Sequence, residues 1–191
     1  MDDEARLKMV LTSAMNEDAE ALGELYRLFR PRVFGLCRHL LGRHEEAEDA
    51  TSEVFARLPK AIKSYETSLP FPRWLLSVTS HYCVDRLRRR QLEQKLFEAE
   101  PVETLALPLR QDSPLDQVIS DEGRGRVRKA IEGLPEQYRV PLALRYYSDL
   151  SYDEIGAQLG LSRPNVATLI FRAKQQLRRE LLESGAGTEV L

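Results

Sequence analysis

Apolar residues in this chain recur at intervals of three and four, and almost nowhere in alternation. That period belongs to the α-helix, because a half-buried strand would alternate inward and outward residues. Over 18–29 the apolar face is Ala21, Leu22, Leu25, Leu28 and Phe29; over 31–42 it is Val33, Phe34, Cys37, Leu40 and Leu41. Pro31 lacks the N–H that a helix interior needs and suits a first turn, so these stretches are expected to be separate helices. Gly42 is placed to cap the second. Residues 44–58 carry a third face of Ala47, Ala50, Thr51, Val54, Phe55 and Leu58. Pro59, Pro70 and Pro72 mark a loop over 59–72, and a long helix is expected from about Arg73 to Gln94. Helix returns at 115–132, from Leu134-Pro135-Glu136 to about Tyr147, from Ser151 to Leu159, and from Arg163 to about Leu182. The expected fold class is all-α.

Between these groups, residues 96–114 hold Pro101, Pro108 and Pro114 among acidic and polar residues. Such a segment stays extended and builds no core. The expectation is two small helical domains, 1–95 and 115–191, joined by a flexible acidic linker over 96–114. A length of 191 residues accommodates both. No apolar run approaches the roughly 20 residues that span a bilayer. The acidic start Met1-Asp2-Asp3-Glu4 lacks the layout of a signal peptide. A cytoplasmic protein is expected, with no membrane contact.

The net charge of −2 conceals a pattern. Residues 67–95 hold six basic and two acidic side chains, residues 96–125 two and seven, and residues 162–191 five and three. Separated basic segments suggest two contacts with a polyanion. The whole-chain pI near 6.0 argues against a strong stand-alone DNA binder. A chain that reaches DNA mainly through a larger partner satisfies both facts.

Enzyme signatures are missing from the sequence. It has no GxSxG, no P-loop, no HExxH and no glycine-rich phosphate cradle. His39, His44 and His81 have no triad spacing, and Cys37 and Cys83 have no zinc spacing. The cysteines read as small, buried, reduced core residues. No catalytic residue, metal or cofactor is expected.

Three segments carry candidate binding chemistry. From Leu150 to Arg178 the chain reads short helix, glycine turn, longer helix, with Ser151-x-x-Glu154 as a capping box and Ser162 as a second cap. That is the helix-turn-helix layout, in which the second helix enters the major groove. Its stripe of Val166, Ile170, Ala173, Leu177 and Leu181 is expected to face inward. Arg163, Asn165, Thr168, Arg172, Lys174, Arg178 and Arg179 are expected to face away, with chemistry suited to base edges and phosphates. The second segment, Asp85-Arg86-Leu87-Arg88-Arg89-Arg90, packs four arginines into five residues. The third is the acidic face of helix 44–58, where Glu45, Glu46, Glu48, Asp49 and Glu53 repel one another unless basic groups answer them. Each has a plainer alternative, a solvated helical surface.

In order along the chain, these segments resemble the sigma-70 family, in its small extracytoplasmic-function (ECF) branch. The residues that carry the resemblance are GELYRLFRPRVFGLCRHLLGRHEEAEDATSEVF from Gly23, PFPRWLLSVTSHYCVDRLRRR from Pro70, and LPEQYRVPLALRYYSDLSYDEIGAQLGLSRPNVATLIFRAKQQLRREL from Leu134. The resemblance implies a first domain that binds the polymerase clamp and melts the minus-ten element, and a second that reads the minus-thirty-five element. It implies that Glu48, Asp49 and Glu53 meet the clamp helices of the largest polymerase subunit. The second domain would meet the flap of the second-largest subunit. Loop 60–68 would pocket a flipped base, with charge from Lys63 and a stacking surface from Tyr65. His81, Arg86, Arg88, Arg89 and Arg90 would hold the opening duplex, with Trp74 a core anchor. Ser162, Arg163, Asn165, Thr168, Arg172 and Lys174 would face the upstream element. The partners implied are core RNA polymerase, promoter DNA and an anti-sigma factor. The chain departs from the family at His81, where Asn is usual. It departs again at Ala167 and Leu169, where basic residues are common, and at Phe171, where His is common. Upstream readout is therefore expected to rest on Arg163, Asn165 and Arg172. Two other readings remain: a stand-alone helix-turn-helix regulator, and an interaction module without DNA contact.

Overall fold

The computed structural model describes residues 3–95 and 121–183. Among them are eight α-helices, one 3-10 turn and no strand, the class that the periodicity dictates. The linker expected over 96–114 and the helix start expected at 115 lie outside the described residues. The chain divides into two compact units, Met1–Arg89 and Arg90–Leu191. The division falls inside a helix that runs to Lys95, a few residues before the expected boundary at 95/96.

In the first unit, α1 spans Asp3–Met15 and α2 spans Ala19–Leu41. Sequence periodicity does not isolate α1, because among its described side chains the buried ones are Leu11 and Ala14. It packs on α2, and Arg6 pairs with Glu24 of α2 at 2.8 Å. Asp18 caps α2, its side chain accepting from the Ala21 N–H at 2.8 Å. At the other end Gly42 takes a φ of 83° and donates its N–H to the Arg38 carbonyl at 3.0 Å. A side chain at that φ would be strained, so glycine is the residue that ends the helix cheaply.

α2 is one helix with Pro31 in its interior, not the two helices that the proline suggests. Leu25, Phe29, Val33, Leu36, Cys37 and Leu40 are buried on one stripe that runs past Pro31 on both sides. Burial of that stripe, largely against α3, outweighs the roughly 3 kcal/mol that an interior proline costs. Pro31 itself is exposed. Leu28, expected to face inward, is 55% exposed.

α3 spans His44–Ala61 and likewise runs past a proline, Pro59, before the 3-10 turn Ile62–Ser64. The loop expected over 59–72 is thereby shortened at both ends, because α4 (Phe71–Lys95) begins two residues before Arg73. Leu58 and Ile62 bracket Pro59 and are both buried, which keeps the chain helical there. Pro72 sits in the first turn of α4, where its missing N–H costs nothing. The segment between turn and helix is held by aromatic packing. The Phe71 ring lies 5.2 Å from Phe29, 5.4 Å from Tyr65 and 5.6 Å from Trp74, centroid to centroid. Trp74, expected as a core anchor, is half-buried and packs its ring on the buried Tyr65 and Phe71.

The second unit contains α5 (Asp121–Gly133), α6 (Glu136–Tyr147), α7 (Tyr152–Leu159) and α8 (Arg163–Glu183). α8 touches each of the other three. Its expected stripe of Val166, Ile170, Ala173, Leu177 and Leu181 is buried throughout. Pro135 leads α6, and the buried Pro141 is accommodated inside it. No helix among the described residues is long and apolar enough to cross a membrane.

The capping box on α7 forms as the sequence predicts. Ser151 Oγ accepts from the Glu154 N–H at 3.3 Å, and Glu154 Oε2 accepts from the Ser151 N–H at 2.7 Å. Ser151→Ala is expected to destabilise the second unit by about 1 kcal/mol, measured as a lower urea midpoint. An unchanged midpoint would show that α7 is held by packing alone.

Candidate nucleic-acid interface

The turn between α7 and α8 fixes the geometry of the second unit. Gly160 has a φ of 69° and closes α7 with its N–H on the Gly156 carbonyl. The Leu161 N–H donates to that same carbonyl at 2.9 Å. The chain turns so closely that a Cβ on Gly156 would lie 2.6 Å from the Leu161 carbonyl oxygen. Ser162 then opens α8, its carbonyl accepting from Val166 at 3.0 Å and its hydroxyl from the Asn165 N–H at 3.4 Å.

This frame places the α8 candidates unequally. Ser162 and Arg163 are exposed, while Asn165 and Arg172 are half-buried. Arg163 lies 3.7 Å from Asp153 of α7, a loose ion pair between two exposed groups. Lys174 holds its Nζ 5.3 Å above the Tyr146 ring, so it serves the α6–α8 seam. Thr168 corrects an expectation: it is 7% exposed, and its hydroxyl donates to the Pro164 carbonyl at 3.0 Å. A short β-branched side chain bonded back to its own helix presents no donor outward. Pro164, Phe171, Gln175 and Arg178 follow one another on the outward face at spacings of seven, four and three, all exposed. Phe171 is 42% exposed. Gln175 was not picked out by sequence, though the spacing from Phe171 contained the signal; its amide has the donor and acceptor that match adenine.

The arginine run lies near the C-terminal end of α4, Arg86, Arg88 and Arg89 in the first unit and Arg90 at the start of the second. His81, Asp85, Arg88 and Arg89 are exposed on α4. His81 Nδ1 is 2.8 Å from the Ser77 carbonyl. Arg88 is 3.7 Å from Asp85, and Arg86 is 3.7 Å from Asp49 of α3. Arg90 continues the run. Ion pairs this long, each with at least one exposed member, are weak and exchange readily for a phosphate.

The acidic face of α3 is answered from within the chain. Glu48 accepts from Arg30 at 2.8 and 3.0 Å, and Glu53 from Arg57 at 2.6 Å. Glu46 and Glu45 lie 3.5 and 4.0 Å from Arg43. The hydrogen bond from Arg30 to Glu48 raises the Arg30 pKa. Mutual repulsion among these carboxylates is therefore relieved before any partner arrives.

Loop 60–68 differs from expectation at Tyr65. Its ring is 9% exposed against Phe71 and Trp74, and its hydroxyl donates to the Leu69 carbonyl at 2.7 Å. Burial pushes the phenol pKa up. Tyr65 is thus a strut under the loop, not an open stacking surface. Lys63 is exposed and pairs with Glu17 at 2.5 Å; its hydrogen bond holds the Glu17 carboxyl below its ordinary range.

Two family descriptions match the chain in order. Residues 25–93 match sigma-70 region 2, and residues 124–177 match sigma-70 region 4. The chain belongs to the sigma-70 family. Among curated relatives it is 29% identical to the ECF RNA polymerase sigma factor SigW of Bacillus subtilis, over 93% of this chain and 98% of that one. It is 33% identical to the ECF RNA polymerase sigma factor SigE of Mycolicibacterium smegmatis, over 86% of this chain and 63% of that one. The fold is shared with two solved sigma factors. One is RpoE in complex with the anti-sigma factor NepR from Bartonella quintana, with TM-score 0.54, 21% identity, and 84% and 96% of the two chains covered. The other is CnrH in complex with the cytosolic domain of CnrY, with TM-score 0.51, 20% identity, and 92% and 96% covered. In this ECF sigma factor, region 2 covers most of α2 and all of α3, ending within α4. Region 4 contains the helix-turn-helix.

Proposed function

We propose that this chain is the promoter-recognising subunit of a bacterial RNA polymerase, acting in the cytoplasm without chemistry of its own. The observation that carries the reading is the ordered pair of sigma-70 regions, with an arginine-bearing helix in the first and a capped helix-turn-helix in the second. A stand-alone regulator does not need region 2. Glu48, Asp49 and Glu53 on α3 face the clamp helices of the largest polymerase subunit, and the second unit meets the flap of the second-largest. Their intrachain ion pairs are half-buried at most and exchange for a partner's cations. Lys63 supplies charge at the loop that takes a flipped base, while Tyr65 and Phe71 keep that loop in shape. Extruding the base costs a few kcal/mol, which a preformed pocket must repay. His81, Arg86, Arg88, Arg89 and Arg90 track the opening duplex. Ser162, Arg163, Asn165 and Arg172 read the upstream element from the first turns of α8. The solved RpoE and CnrH are bound to NepR and CnrY, and we read this chain as regulated by a separate inhibitory protein of that kind.

The test is run-off transcription with bacterial core polymerase on promoter fragments from the source genome. Transcripts that depend on the added chain are expected, and Arg163→Ala is expected to change which fragments are used. Absence of transcripts together with failure to co-elute with core polymerase would sink the reading. Unaltered promoter choice by Arg163→Ala would remove that residue from the upstream contact.

A further inference from the structure

The chain has two cysteines, 46 positions apart. One stands on α2 and the other on α4, and folding brings their sulfurs to 3.6 Å. Both are free thiols with no exposed surface. Nothing in the promoter-recognising role uses them. Two apolar side chains would fill the same space, so packing alone does not call for a thiol at each place.

We propose that Cys37 and Cys83 form an oxidisable pair, converted by a hydroperoxide into a disulfide that ties α2 to α4 and lowers promoter-directed transcription. The two thiols lie within reach of an S–H···S hydrogen bond. That bond holds the Cys37 pKa below its ordinary value against the effect of burial, with further help from the Thr51 hydroxyl and the Arg86 charge. The same bond, together with burial, pushes Cys83 well up, with Arg86 opposing. The two sulfurs face each other, so whichever thiol is oxidised first has the other in place to resolve it, with Cys37 the one that the contact favours as thiolate.

The chemistry balances in two steps. The Cys37 thiolate attacks one peroxide oxygen, and the O–O bond breaks. With hydrogen peroxide, the Cys37 proton and the departing hydroxide leave as water, and Cys37 becomes a sulfenic acid. The Cys83 sulfur then attacks the sulfenic sulfur; the S–O bond breaks, and the hydroxyl leaves with the Cys83 proton as a second water. The two thiols lose two electrons and the peroxide gains them. Burial makes the first step wait on local opening, so the pair responds to sustained oxidant rather than to a brief pulse.

Disulfide sulfurs sit about 2.05 Å apart, so the contact must close by about 1.5 Å. Rotation about the side chains and a shift of α4 on α2 share that movement. Arg86 lies three residues beyond Cys83 on the same helix, so displacement of that turn moves an arginine assigned to the promoter. The effect on transcription rests on the function proposed above; the cross-link does not.

The experiment uses the full chain, reduced and then exposed to hydrogen peroxide, with remaining thiols alkylated under denaturing conditions and peptides mapped by mass. Expected is a linked Cys37–Cys83 peptide with no alkylation at either residue. Transcription with core polymerase is expected to fall several-fold and to return with dithiothreitol, while Cys83→Ser transcribes equally before and after peroxide. Full alkylation of both cysteines after treatment would overturn the pair. So would a linked peptide with undiminished transcription, because oxidation would then control nothing. Failure of the reduced wild-type chain to transcribe would count against the proposed function alone, since the mass measurement stands without it.

Discussion

Gly156→Ala is expected to destabilise the second unit by about 1–3 kcal/mol, the range for forcing atoms into a packed site. The added Cβ would meet the Leu161 carbonyl oxygen at 2.6 Å. That oxygen belongs to the backbone, so no side-chain rotation relieves the clash. Nor is the backbone free to retreat, since the Leu161 N–H is bonded to the Gly156 carbonyl and Ser162 begins the next helix one residue later. A domain of this size loses about 4–8 °C of melting temperature per kcal/mol. Calorimetry on the full chain should show the loss, and upstream-dependent transcription should fall with it, because the two helices no longer cross at the angle that the turn imposes. A melting profile identical to wild type would mean that α7 and α8 can separate without cost. The close approach would then carry no structural weight.

Phe71→Ala is expected to cost about 3–5 kcal/mol. Phe71 is 2% exposed and meets Phe29 of α2, Tyr65 of the loop and Trp74 of its own helix. Its removal leaves a cavity that none of the three rings can fill by rotation alone. Tyr65 loses one of its two aromatic supports, and the loop that presents Lys63 loses its floor. A lower urea midpoint is the first expected result. The second is a loss of promoter opening larger than the loss of polymerase binding, because the rings that lose contact support the loop of Lys63 and not the exposed carboxylates of α3. Opening and binding falling in equal measure would mean that the cluster serves stability only.

Much of the scaffold was legible in the sequence because it depends on short-range rules. The α8 stripe, the Ser151–Glu154 box and the Gly42 cap all follow from residues within a turn or two of each other. Pro31 and Pro59 show where such rules fail. A proline taken alone ends a helix, yet buried residues on both sides carry the helix through. α1 was missed because it contributes few buried side chains to any stripe. The site was less legible for a related reason, since a polar side chain on a helix does not announce its partner. Thr168 and Tyr65 look like free donors until their hydroxyls are found on the Pro164 and Leu69 carbonyls. The carboxylates of α3 look unanswered until Arg30 and Arg86 arrive from other helices. Cys37 and Cys83 look unrelated until α2 and α4 pack.

The contact between Asp49 and Arg86 joins an acid on the helix assigned to polymerase with a base on the helix assigned to promoter. Each group is, for the isolated chain, the other's decoy. A partner that draws Asp49 away strips Arg86 of its counter-ion and leaves it hungrier for phosphate. By thermodynamic reciprocity, a phosphate on Arg86 sharpens Asp49 for the partner by the same factor. A 3.7 Å pair with its Asp49 side exposed is worth about 1 kcal/mol at most, which caps the mutual gain at about five-fold. With Asp49 and Arg86 in the roles proposed for them, a gain of that size biases the order of assembly and does not lock it: the chain would be slightly quieter toward bare DNA alone than when mounted on its enzyme.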